Sequence, residues 1–292
     1  ANHLLHAQVP VWRSEDELFL PDQFLAPGAF YIESSALPQA ETLANELGID
    51  LYGLTAEFTG PKYALQPLRV GLFQRYFGGN ADEGWTRLVF EKFEQPYTTV
   101  MPKDIKAGNL KDKYDVLVFP SDWEQLIVDI TMPGDSRAAM LLSWYGDSIP
   151  PQYKEGIGHE GVEALRAFVK AGGRLLALNN SCDFAIKTFN LKVRNVVAGL
   201  GPKNYNTHGS TLHVDIDTSD RLGHGMPENA LILSWDSPVL QVNDNFRAEN
   251  YRVIARYPAE NILQSGKLVG EEHIAGKAAM IAAQYGQGEV VL

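Results

Sequence analysis

The sequence predicts an α/β protein built on a mostly parallel sheet with helices on both faces, and three observations predict it. From Arg69 onward, short apolar runs alternate with helical stretches, the pattern of parallel strands joined by crossover helices. Arg69 to Phe73 and Arg174 to Leu178 are apolar after their leading arginine rather than alternating, as strands covered on both faces must be. Glu160 to Lys170 sets Val162, Leu165, Phe168 and Val169 at helical spacing, stops at Gly172-Gly173 and leads directly into a strand.

Taken in order, Val9 to Gly28 is Pro-rich and reads as an irregular wrapping arm, because proline fixes φ and lacks an N–H donor. Phe30 to Ile32 is a short strand, Pro38 to Leu47 a helix ended by Gly48, and Ile49 to Leu54 a second strand, together a small βαβ-like unit. Thr59 to Pro67, with Gly60, Pro61 and Pro67, reads as a linker, so residues 1–66 form an arm with a small α/β unit and residues 67–292 the main domain. In that domain Arg69 to Phe73, Tyr97 to Met101 and Asp115 to Phe119 are strands, with a helix over Asp82 to Phe93 between the first two. An insert follows from Trp123 to Lys154, and beyond the strand Arg174 to Leu178 the turn Asn179-Asn180-Ser181 opens a helix over Cys182 to Phe189. The remainder is strand-rich: Thr211 to Ile216, Ala230 to Ser234, Arg252 to Ala255, Ala278 to Ala282 and Glu289 to Leu292. The alternation makes the main domain flavodoxin-like.

The chain has 292 residues, 36 acidic against 25 basic, for a net charge of −11. No dense Lys/Arg block interrupts that excess, which argues against nucleic acid as a partner, since phosphate binding needs a positive field. No apolar run reaches the roughly 18 residues that a membrane span requires. Cys182 is the one cysteine, so neither an internal disulfide nor a Cys-rich zinc site is expected.

Open parallel sheets bind ligands at the carboxyl ends of their strands, which directs attention to Gln74 to Gly84, Pro120 to Trp123 and Asn179 to Asp183. The first is a glycine-bearing loop before a helix, without the dinucleotide or P-loop pattern; Asp82 and Glu83 would repel a phosphate there, which favours a structural turn. The third has the form of a nucleophile elbow, with Asn179 at the turn and Cys182 three residues on. Asparagine cannot attack a carbonyl, and Cys182 reads either as a small core residue or as a thiol near a helix start, with His208 or His273 as its base. His213 reads as a strand-face residue and His224 as part of a turn, and no His-x-x-Glu zinc pair occurs. Gly270 to Lys277 is dense in polar groups and reads as a cleft lining or a charged loop. Candidate cleft residues are therefore Gln74, Glu83, Asp122, Asn179, Asn180, Glu271 and Glu272, with no metal ligand among them. The insert's Met132, Leu141, Leu142, Trp144 and Tyr145 mark it as an oligomer contact or a cover.

Five segments together carry a family resemblance: Arg69-Val70-Gly71-Leu72-Phe73-Gln74, Asp82 to Arg87, Gly156 to Val162, Val193 to Val196 and Leu268 to His273. They resemble, in the same order, the C-terminal region of bacterial zinc carboxypeptidases, where a glutamine-amidotransferase-like domain follows the metallopeptidase domain. The resemblance implies a class I amidotransferase-like fold here. It also implies a parent protein that is exported to the periplasm or secreted, with the peptidase domain as this chain's partner and zinc held only there. It leaves no complete triad in this chain. Asn179 stands at the elbow, and the catalytic His and Glu that follow the last strands of such domains have no counterpart before Leu292.

Overall fold

Proline and glycine set the boundaries of the elements, and apolar runs decide which of them are covered. The computed structural model describes residues 1–292 other than 22, 78, 131–139, 141, 142, 145–147 and 244–249, and only the backbone of 152. Two compact units result: a smaller one of Ala1–Pro67, Phe93–Gln95 and Ile216–Glu228, and a larger one of Leu68–Lys92, Pro96–Asp215 and Asn229–Leu292.

The smaller unit contains α1 (Asn2–His6), β1 (Val11–Ser14), β2 (Leu18–Leu20), β3 (Gln23–Leu25), β4 (Phe30–Ile32), α2 (Leu37–Leu47) and β5 (Lys62–Ala64). β1 lies between β4 and β5, antiparallel to both, and β2 and β3 form a separate hairpin. This corrects three expectations. The wrapping arm carries three strands, the linker carries β5, and the unit is an antiparallel sheet with an added helix, not a βαβ unit. Pro10 and Pro61 stand immediately before β1 and β5, where a missing N–H breaks no ladder bond, so proline did not exclude strands there. Ile49 to Leu54 is not a strand: Ile49, Leu51 and Leu54 are exposed, and alternating apolar residues form a strand only beside an edge that can pair with them. α2 behaves as expected, with Pro38 in its first turn and Gly48 in the left-handed region at φ 66°, its N–H bonded to the Ala44 carbonyl.

The larger unit runs β6 (Val70–Phe73), α3 (Ala81–Lys92), β7 (Tyr97–Val100), α4 (Pro102–Lys106), α5 (Leu110–Lys113), β8 (Val116–Phe119), α6 (Glu124–Val128), α7 (Gly158–Lys170), β9 (Arg174–Ala177) and α8 (Ser181–Thr188). It continues with β10 (Val193–Asn195), β11 (Ser210–Ile216), β12 (Asn229–Ser234), β13 (Leu240–Val242), β14 (Tyr251–Arg256), β15 (Leu263–Ser265), α9 (Glu271–Ile274), β16 (Ala278–Tyr285) and β17 (Gly288–Val291). Strands β7-β6-β8-β9-β17 are parallel and give the flavodoxin-like order 2-1-3-4-5. The sheet then extends through β16, β14 and β11 to β12 at its far edge.

Both faces of the parallel strands are covered, as their continuous apolar character requires. Val70, Leu72 and Val118 pack on one face with Phe90 of α3. Leu117, Phe119, Leu175 and Val290 pack on the other with Leu165, Phe168 and Val169 of α7. Gly71 fits this arrangement because a Cβ there would come within 2.6 Å of Leu117 Cδ2 and 2.7 Å of Val100 Cγ2.

The entry to the first two central strands is tied by charge. Arg69 grips Asp115 with two side-chain bonds of 3.0 and 2.8 Å, and its own backbone N–H donates to the same carboxylate. Hydrogen bonds from the Arg69 side chain hold the Asp115 carboxyl well below the usual range, helped by the Arg69 backbone and by Lys111. A folded-state value below the unfolded one stabilises the protein above about pH 4, and the contribution is lost as pH falls through the carboxylate range. Urea unfolding of Asp115→Asn is therefore expected to show a stability deficit at pH 7 that narrows steadily below about pH 4.

Candidate functional site

Three of the five parallel strands, β6, β8 and β9, run into the loops of interest, and in this strand order the crevice opens between those following β6 and β8. Arg75 comes from the first loop and Asp122 from the second. Their side chains, 10% and 4% exposed, form an ion pair with Arg75 Nε 2.5 Å from Asp122 Oδ2. Arg75 also donates to the Phe77 carbonyl, and Asn80 Nδ2 donates to the Ser121 carbonyl at 3.0 Å. The second Asp122 oxygen accepts the Trp123 N–H at 3.0 Å. Burial pushes the Asp122 carboxyl up, while Arg75 and that N–H pull it back down.

The loop after β9 is fastened to the one after β8 by a buried serine. Ser181 Oγ donates to the Pro120 carbonyl at 2.6 Å and accepts the Asp122 N–H at 3.1 Å. Between β9 and α8 the chain turns sharply through Asn179, which sits at φ 49° in the left-handed region, and the Cys182 N–H closes the turn on the Asn179 carbonyl at 2.9 Å. This is the elbow geometry with an amide side chain on it. Asn179 Oδ1 is buried and accepts no hydrogen bond in the structure.

Cys182 points inward. It is 4% exposed in the main core cluster, its Sγ lies 3.4 Å from the Ala177 carbonyl oxygen, and burial, with Asp183 adding to it, pushes the thiol up to about 12. Neither suggested base pairs with it. His208 is exposed, lies against Trp235 with centroids 4.2 Å apart and the rings tilted by 54°, and faces Asp236 at 3.3 Å. His208 stands at the head of β11, four strand spacings from β9, about 19 Å across the sheet. His273 lies in α9, with Nε2 3.7 Å from Glu272. Of the two readings the sequence allows for Cys182, side-chain direction favours the small core residue over the thiol at a helix start, because the first turn of α8 presents Cys182 to the core.

Of the cleft candidates, the structure brings Asp122, Asn179 and Asn180 together: the Asn180 N–H reaches Ser121 Oγ at 3.4 Å beside the Ser181 bridge. Gln74 continues from β6, its N–H on the Val100 carbonyl. Glu83 does not join them. It is buried in α3 and engaged by Arg87, which also donates to Tyr97 and Thr99 of β7. Glu271 accepts the Ile262 N–H, Glu272 is exposed beside His273, and both stand in the first turn of α9, before β16. His224 is buried in the smaller unit, its Nδ1 3.3 Å from the Tyr63 hydroxyl. Of the insert, Met132, Leu141, Leu142 and Tyr145 lie outside the described residues, while Trp144 is exposed. Sequence reasoning did not single out Arg75, Asn80, Ser121 or Ser181, although all four stand in the three loops that the strand ends select.

Among the described residues no three His, Cys, Asp or Glu side chains converge as a metal site, and no helix is long and apolar enough to cross a membrane. No protein-family model matches the chain, and no curated protein matches it. Solved structures similar to it include a glutamine amidotransferase from Thermotoga maritima, 10% identical, covering 78% of this chain and 75% of that one at a TM-score of 0.43. A cytoplasmic protein from Salmonella typhimurium is 11% identical over 77% of this chain and 86% of its own, with a TM-score of 0.42. A β-galactosidase from Bacillus circulans is 11% identical over 77% of this chain at a TM-score of 0.41, and the match spans 28% of that longer protein.

Proposed function

We propose that the larger unit is an amidotransferase-like domain that binds a ligand without covalent catalysis, as an accessory domain of a longer, exported zinc-carboxypeptidase-like protein. The observation that carries the non-catalytic reading is the elbow. The residue on the turn is Asn179, and the chain's thiol is walled into the core behind it. Burial pushes the Cys182 thiol up to about 12, which keeps it protonated at neutral pH and unsuited to nucleophilic acyl transfer. The network around Asp122 supports a rigid binding surface, because its charged pair and both serine hydroxyls are already engaged in holding three loops together. The parent enzyme, its zinc and its export rest on the ordered sequence segments alone.

Two assays test this reading on the purified chain. Iodoacetamide at pH 8 is expected to leave Cys182 unmodified in native buffer and to modify it fully in denaturant. Incubation with glutamine is expected to release no ammonia above a buffer control. Turnover that disappears in Cys182→Ser would overturn the reading, as would turnover abolished by a chelator.

A further inference from the structure

β13 meets β16 at a single position, Leu240 opposite Ala278. The next pairs of that antiparallel ladder would join Gln241 to Lys277 and Val242 to Gly276, and neither forms. The Gly276 N–H turns instead to the Pro258 carbonyl at 3.2 Å, with Gly276 in the left-handed region at φ 67°, and the Lys277 N–H turns to the Ile274 carbonyl at 2.9 Å. The two segments therefore part and leave a cavity of about 210 Å³, open to solvent and bounded also by β14. Leu240, Val242, Val253 and Ala278 give it an apolar wall, and Arg256 and Lys277 bring two positive charges to it. Arg256 Nη1 donates to the Gly276 carbonyl at 2.6 Å, which fixes one N–H of the guanidinium and leaves the others of its fork available. Arg194 Nη2 donates to Gln241 Oε1 at 3.0 Å and sets a third cation at the rim. No acidic residue lines the cavity, and among the described residues none of these three cations makes an ion pair, although the chain carries a net charge of −11. Elsewhere in the same sheet the arginines are paired: Arg174 of β9 and Arg252 of β14 share the buried Glu289.

We propose that this cavity is a second binding site, taking a small free carboxylic acid with a short branched apolar tail. It is separate from the crevice, since none of the residues around the Asn179 elbow lines it. An apolar wall beside an unpaired guanidinium selects a ligand that is charged at one end and apolar at the other. The planar fork of Arg256 matches a carboxylate, and Lys277 adds a second donor on a flexible stem. The tail lies against Val242 and Val253, both packed on the main core. A cavity of about 150 Å³ holds benzene, so this one takes roughly seven to nine heavy atoms, the size of a branched free acid and not of a peptide end. Inorganic phosphate leaves the apolar wall wet and is the poorer ligand.

The probe is 3-methylbutanoate, titrated into the isotope-labelled chain at neutral pH and low salt and followed by amide NMR shifts. Saturable shifts are expected at the amides of Gln241, Gly276 and Lys277, with a dissociation constant of about 1 mM, as suits a ligand of roughly seven heavy atoms. Arg256→Gln, a change at an exposed side chain, is expected to weaken binding at least about tenfold, and Arg256→Lys, which keeps the charge without the fork, to weaken it less. 3-Methylbutanamide, the same shape without the charge, and inorganic phosphate, a charge without the tail, are each expected to bind at least about tenfold more weakly. Shifts that do not saturate by about 20 mM overturn the proposal. So does saturable binding that Arg256→Gln leaves unchanged or that moves the amides of Asn179 to Asp183 instead, because the acid then sits elsewhere. Phosphate binding as tight as that of the acid overturns it too, because the wall then plays no part and the site is a bare patch of cations.

Discussion

Asp122→Ala is expected to lower the unfolding free energy by about 3–5 kcal/mol, because it leaves the Arg75 guanidinium buried without its counter-ion. The two side chains are 10% and 4% exposed, so water cannot take the place of the lost carboxylate as it would at the surface. The variant also frees the Trp123 N–H and a weak bond from Asn80, adding unmade hydrogen bonds to an unpaired charge. Asp122→Asn keeps an acceptor for Arg75 and is expected to lose less. The double variant Arg75→Met with Asp122→Leu is expected to recover much of the loss, since taking two charges out of water costs about as much as their attraction returns. Urea unfolding with an unchanged m-value reads all three. If Asp122→Ala cost only what a surface pair costs, about 0–1 kcal/mol, the crevice would have to be wet and the pair screened.

That pair also shows what the sequence could not disclose. Val70 to Phe73, Val116 to Phe119 and Leu175 to Ala177 were legible because a strand covered on both faces has to be apolar without interruption. The elbow at Asn179 was legible because a strand, two asparagines and a helix leave room for little else. Arg75 and Asp122 are 47 positions apart and meet only because β6 and β8 are neighbours in the sheet, a fact of topology that neither loop encodes locally. Glu83 misled for the opposite reason. An acid at a helix start reads as anion-repelling, yet its partner is Arg87 one turn on, and β7 buries the pair from outside the helix. In the smaller unit three-residue strands are too short to set a period, and Phe93–Gln95 and Ile216–Glu228 join that unit from distant parts of the chain.

Phe119→Ala is expected to cost about 3–5 kcal/mol and to expose Cys182 through faster opening of the same core. Phe119 ends β8 immediately before Pro120, fully buried, with its ring stacked 4.6 Å from Phe73 at the end of β6 and 5.7 Å from Phe184 in α8. The three rings belong to the core cluster that encloses Cys182, under the loops carrying Asp122, Asn179 and Ser181. Removing the middle ring withdraws both stacking partners' contacts and leaves a cavity in a layer fixed by two strands and a helix, which can collapse little. Phe119→Leu refills most of that volume and is expected to cost clearly less. Native-state labelling of the thiol gives a second readout, because a buried cysteine reacts only from opened molecules and its rate follows the opening equilibrium. A destabilisation of about 3 kcal/mol corresponds to labelling about 100-fold faster in Phe119→Ala than in wild type. If stability fell by that amount while the labelling rate stayed the same, Cys182 would be reached by a local opening that does not involve this stack, and the elbow would be looser than its packing indicates.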